Sequence, residues 1–123
     1  MKRFGLFCVA ASCLSATSFG AIRAVTPAKW NDDPNCWQMK RHAEKMSAVA
    51  KGGAKVVFIG DSITHLWEHA GKRVAAAHLS EGDSRMLNLG TAADRTEHVL
   101  WRLENGELDG YEAKAVFLMI GTN

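Results

Sequence analysis

Three short loops hold the residues that could do chemistry. The first is Gly60-Asp61-Ser62-Ile63-Thr64. A serine placed where a β-branched run breaks into a helix stands exposed. Its backbone N–H, unpaired by the helix, can donate to an anion. A nucleophilic serine needs that exposure together with a general base to take its proton. The competing reading is a turn whose Asp or Ser only caps the next helix. The second loop is Gly90–Asp94 and the third Gly121–Asn123, both built of small or hydrogen-bonding residues. A different chemistry overlaps the first loop. His65-Leu-Trp-Glu-His69 matches the H-x-x-E-H of inverted zinc peptidases, in which two histidines one turn apart hold the metal and Glu acts as base. Its third ligand would come from Glu97, Glu104 or Glu107, and no spacing singles one out. The plain alternative is a polar helix surface.

Alternating elements must position these loops. Trp37 to Lys51 has helical spacing, with Trp37, Ala43, Met46 and Ala50 as the apolar stripe and Arg41 and His42 on the exposed side. Gly52-Gly53 stops it. Lys55-Val-Val-Phe-Ile59 suits a strand buried on both faces. Ile63 to His78 is predicted helical with a break near Gly71, and Arg85 to Leu89 is a second strand. Asp94 to Leu103 reads as a helix, with Asp94 as N-cap, Glu97 three residues on, and Val99, Leu100 and Leu103 facing the core. Arg95, Glu97 and His98 then fall on a solvated face, and Trp67 and Trp101 on core or rim packing. Ala115 to Ile120 is a third buried strand. Helix, strand, helix, strand, helix, strand implies an α/β fold with a parallel sheet covered by helices. In such sheets ligands bind beyond the carboxyl ends of the strands, which is where the three loops fall.

With the order set, Val57-Phe-Ile-Gly-Asp-Ser-Ile-Thr64 resembles the first block of the SGNH, or GDSL, serine esterases. The stretch from Asn88 to Leu108, containing Asn-Leu-Gly-Thr-Ala-Ala-Asp and Val-Leu-Trp-Arg-Leu-Glu-Asn-Gly-Glu-Leu, resembles the second block. It is most similar to the acetylhydrolase branch related to platelet-activating-factor acetylhydrolase subunits. Leu118-Met-Ile-Gly-Thr-Asn123 resembles the third block. The likeness implies a three-layer α/β/α, flavodoxin-like fold with its first three strands here. It implies an esterase acting by two-step acyl transfer on short-chain acyl esters, such as acetyl groups on sugars or lipids, without metal or organic cofactor. Ser62 would be nucleophile and oxyanion donor through its N–H, and the Asn123 side chain a second donor. Asp61 would hold the turn. Gly90 and Asp94 are placed at the substrate.

Two departures from the family pattern bear on this. The family's second glycine, whose N–H is the middle oxyanion donor, is Ala93 here. If the turn needs φ > 0, alanine costs about 1–2 kcal/mol where glycine would not. The family's base is a His preceded by Asp at three residues, and none of the five histidines is so preceded. The expectation is an N-terminal part of a longer domain, inactive alone. A non-catalytic binding module on the same fold is the third reading.

The remaining features bound the setting. Residues 1–20 read as a secretory leader: Lys2 and Arg3, an apolar Phe4–Leu14, then Ser18-Phe19-Gly20 before a mature start near Ala21. The apolar run is too short for a stable span. Cys13 follows Ala-Ala-Ser but lacks the Leu of a lipoprotein site, so export without lipidation is expected. Residues 21–36, with both prolines, form an irregular lead-in, and 37–123 the domain. Of 15 basic residues two lie in the leader, leaving 13 against 13 acidic. That balance gives no electrostatic footprint for nucleic acid. The expected partner is a small ester. Cys8 and Cys13 belong to the leader, leaving Cys36 as a partly buried thiol with no intrachain disulfide partner.

Overall fold

A computed structural model describes residues 22–78 and 85–123. The leader, with Cys8 and Cys13, lies outside the described residues. Three parallel strands, β1 (Ala54–Gly60), β2 (Arg85–Asn88) and β3 (Ala115–Met119), form a sheet of order β2-β1-β3. Helices flank it: α1 (Trp37–Val49), α2 (Ser62–His65), α3 (Lys72–His78) and α4 (Thr96–Arg102). A 3-10 turn, Leu66–Glu68, separates α2 from α3. A widened turn, Leu103–Glu107, follows α4. This small parallel sheet with flanking helices is the α/β arrangement expected, and its order is the start of the flavodoxin-like 2-1-3-4-5. β1 has neighbours reached in opposite directions, so the topological switch point lies at its carboxyl end.

The core sits on one face of the sheet. Val57 and Ile59 of β1 pack there with Val49 of α1, Leu87 and Leu89, and Val99 of α4. The other face is only half covered: Phe58 stacks between Trp67 at 5.7 Å and Phe117 at 4.8 Å. β1 is therefore not buried on both faces as its apolar run suggested. β3 departs further from expectation. Val116, Phe117, Leu118 and Met119 are each more than half exposed. It is an edge strand, and among the described residues nothing closes over it. No helix among the described residues is long and apolar enough to cross a membrane.

Helix α1 buries a different stripe from the one its apolar residues define. Arg41, Lys45 and Val49 are inside, spaced by four, while Ala43 and Ala50 are exposed and Trp37 is nearly half exposed. Arg41 is only 7% exposed. The charged side chains turn inward because acceptors wait for them. Arg41 Nε donates to the Gly90 carbonyl at 2.8 Å, and Arg41 Nη1 to Glu68 at 3.1 Å. Lys45 Nζ reaches Glu68 at 2.5 Å. A buried cation is tolerated when most of its donors are met; Arg41 Nη2 is the exception, buried without a partner among the described residues. His42 is likewise mostly covered, with Nδ1 2.8 Å from Glu107.

The lead-in is irregular apart from one 3-10 turn, Arg23–Val25, yet it is not free of the domain. Ala28 N–H donates to the Glu97 carbonyl at 3.0 Å, and the Trp30 ring stacks on His98 at 4.1 Å. Glu97 and His98 are consequently buried, not solvated, whereas Arg95 is exposed.

Candidate active site

The strand ends are drawn together by two glycines. A Cβ on Gly60 would lie 2.2 Å from the Met119 carbonyl oxygen and 2.3 Å from Thr64 Oγ1. One on Gly90 would lie 2.4 Å from His65 N. Hydrogen atoms alone allow β1 to approach β3, and the loop after β2 to approach α2, so closely. The ladder continues past the strands: Leu89 N–H donates to Phe58 O at 2.7 Å and Thr91 N–H to Gly60 O at 3.1 Å.

Ser62 is the first residue of α2, directly after Gly60 and Asp61. Asp61 is fully buried, and its carboxylate accepts from Ile63 N–H at 3.0 Å, the bond of an N-cap. This is the turn-holding part expected of it. The capping reading therefore applies to Asp61 and leaves the serine free. Ser62 is half-buried, and its hydroxyl has no hydrogen-bond partner among the described residues. Its N–H is one of those a helix start cannot satisfy internally.

The second loop lies against α2 and β1. Asn88 donates through Nδ2 to Thr64 O at 2.7 Å, while its Oδ1 accepts from Gly90 N–H at 2.8 Å. Ala92 N–H donates to His65 Nδ1 at 3.3 Å. Ala93 follows with φ +66°, the single non-glycine residue at positive φ among the described residues. The left-handed turn is thus present with alanine in the glycine position. Ala93 N–H donates to nothing among the described residues. The third loop joins the second: Asn123 Nδ2 donates to Asp94 O at 2.8 Å, leaving one amide hydrogen of Asn123 unspent.

Asp94 corrects one expectation: it does not cap α4. The helix begins at Thr96, and the N-cap position is Arg95, whose N–H donates to His98 Nδ1 at 3.1 Å. Asp94 is fully buried; Oδ1 accepts from Trp30 Nε1 at 2.6 Å and Oδ2 from Arg102 Nε and Nη2 at 2.9 and 2.7 Å. Burial, the dominant influence, pushes its carboxyl above the ordinary 3.8, against the pull of Arg102 and Trp30. Arg102 also pairs with the buried Glu107, which holds His42. Gly90 is buried too, with both backbone polar groups engaged by Asn88 and Arg41, so it shapes the loop from within. Sequence reading missed Arg102 and Trp30. Their partner lies 8 and 64 positions away, outside the helix that holds Arg102 and far from Trp30 in the chain, so the pattern of no single element joins them.

The zinc-peptidase motif keeps its two imidazoles adjacent, ring centroids 5.9 Å apart, but loses its helical frame and its base. The chain leaves α-helix at Leu66, so His65 and His69 do not share one α-helical face. Glu68, which would be the base, is held by Arg41 and Lys45. Burial raises its carboxyl, but the hydrogen bonds and charges of those two cations together bring it below the ordinary 4.5. A carboxylate so stabilised is a poor proton acceptor. His65 Nδ1 is already taken by Ala92 N–H. Glu97 and Glu107, two of the candidate third ligands, are buried in α4 and in the turn after it, and Glu107 is already paired with Arg102 and His42.

No family model matches the chain. Part of it is similar to known hydrolase subunits. It is 41% identical over 75 residues to platelet-activating factor acetylhydrolase IB subunit alpha1 of Rattus norvegicus, covering 56% of this chain and 28% of that protein. The Homo sapiens alpha1 subunit matches to the same extent. The Homo sapiens alpha2 subunit is 38% identical over 71 residues, covering 55% of this chain and 28% of its own length. The chain therefore spans less than a third of the curated relatives it matches. Over the matched part it is related to proteins named acetylhydrolases.

Proposed function

We propose that this chain carries the nucleophile and oxyanion hole of a serine ester hydrolase acting on short-chain acyl esters, such as acetyl groups on sugars or lipids. The observation that supports it most is the bonding of three separate turns at the switch point. The Ser62 turn touches the Ala92–Asp94 turn through His65, and Asn123 touches the same turn through Asp94. Ser62 Oγ attacks the ester carbonyl carbon, and the carbonyl oxygen takes the negative charge. Ser62 N–H, Ala93 N–H and the free Asn123 amide hydrogen stabilise that oxygen. Each such donor is worth roughly 100- to 1000-fold in kcat. The alcohol leaves with a proton, and water then cleaves the acyl-serine.

In this reading the general base comes from outside these 123 residues, since no histidine has an Asp three residues before it. His65 and His98 also accept a backbone N–H at Nδ1, from Ala92 and Arg95, which leaves the proton on Nε2. Residues 1–20 are read as an export signal, which recovery of a secreted form beginning at Ala21 would support.

Hydrolysis of p-nitrophenyl acetate by the full-length protein and by Ser62→Ala tests the reading. Loss of at least 1000-fold in kcat is expected for the variant. Equal rates would remove Ser62 from the reaction.

A further inference from the structure

We infer that Arg102 and Trp30 are positioning residues for the oxyanion hole, acting through a clamp on the Asp94 carboxylate. This rests on the serine-hydrolase reading above and adds to it a device set apart from the reacting atoms. Every polar atom of Asp94 is engaged. Its N–H donates to Thr91 O at 3.2 Å, its carbonyl holds the Asn123 amide, and its carboxylate is gripped by the Arg102 fork and the Trp30 indole. Asp94 thus stands between the two donors that the hole takes from outside the serine turn. The Ala93 N–H is one peptide before it, and the Asn123 side chain lies on its carbonyl.

The clamp has a job that a glycine loop would not give it. Ala93 sits at φ +66°, a left-handed region that an L side chain resists. Strain of this kind persists only where the surroundings fix it. The peptide following Ala93 is fixed because the Asp94 side chain cannot rotate without breaking three hydrogen bonds in a fully buried site. Arg102 is itself anchored from behind by Glu107, and Glu107 by His42 of α1. Trp30 is braced by its stack on His98. The two chains of contacts start at His42 of α1 and His98 of α4 and end on one loop residue.

The test uses the full-length protein with p-nitrophenyl acetate. Trp30→Phe keeps an aromatic ring beside His98 while removing the indole N–H together with its second ring; kcat is expected to fall 3- to 10-fold at unchanged KM. Arg102→Lys keeps the charge and loses the two-pronged grip; a 10- to 100-fold fall in kcat is expected, again at unchanged KM. Trp30→Phe alone decides the matter if Arg102→Lys does not fold. In both folded variants the three-bond HN–Hα coupling of Ala93 should leave its left-handed value. Wild-type kcat in Trp30→Phe, or an effect on KM in place of kcat, would overturn the clamp while Ser62→Ala remained inactive. Equal activity of wild type and Ser62→Ala would instead overturn the hydrolase reading, and the clamp with it.

Discussion

At the scale of single residues, the site depends on two places where a side chain is the wrong size. Gly60 has no room for a methyl group, so Gly60→Ala should push β3 or Thr64 aside. Overpacking of this kind costs about 1–3 kcal/mol, read as a lower urea midpoint. Ala93 is the opposite case: a methyl group present where its backbone prefers none. Ala93→Gly removes about 1–2 kcal/mol of left-handed strain and gives back part of it through a freer unfolded chain. The expected result is stability equal to wild type or slightly above, with turnover kept or raised. A clear loss of activity would contradict the donor role. His65 and His98 set a pH response. Burial is the first cause that holds both imidazoles below the ordinary 6.5, and each ring uses Nδ1 as an acceptor that protonation would abolish. With folded values below unfolded ones, their contribution is complete above pH 6.5 and is lost as pH falls below it. The urea midpoint should therefore drop between pH 7.5 and 5.5. The drop should be smaller in His98→Gln.

At the scale of elements, the strands were legible because each is a β-branched or apolar run closed by glycine or asparagine, and that pattern is local. So were the three turns, since chemistry-bearing residues follow each run. What a given face buries was not legible in α1. Arg41 and Lys45 look like solvent residues until Gly90, 49 positions from Arg41, and Glu68, 23 from Lys45, are folded against them. α4 was misread for a related reason. Asp94 has the composition of a cap, but Arg102 offers it a buried fork, and a charge-assisted pair outcompetes a backbone N–H. The length of the second helix was overestimated because nothing in Leu66-Trp-Glu68 marks the change to a 3-10 turn. Arg41→Met tests how much α1 owes to its inward charges. It removes the bond to Gly90 and leaves Glu68 with Lys45 alone. A loss of about 2 kcal/mol, the range for hydrogen bonds to charged groups, should appear in urea unfolding.

Across the whole molecule, the described residues have a well-packed side and an open one. Val49, Val57, Leu87, Leu89 and Val99 close one face of the sheet, while β3 presents Val116 to Met119 to solvent. An exposed apolar edge strand offers unpaired backbone groups to any neighbour. Purified by itself, the 123-residue chain should self-associate, and Leu118→Lys should lower its apparent mass in light scattering. A monodisperse monomer at high concentration would count against that view of β3.

On the proposed hydrolase reading, the hydrogen bond from Trp30 to Asp94 makes the segment before α1 an accessory of catalysis. Trimming by an external protease just past residue 30 would leave the serine and every strand intact. On the same reading turnover would nevertheless slow, so the choice of cleavage point would double as a setting on catalytic speed.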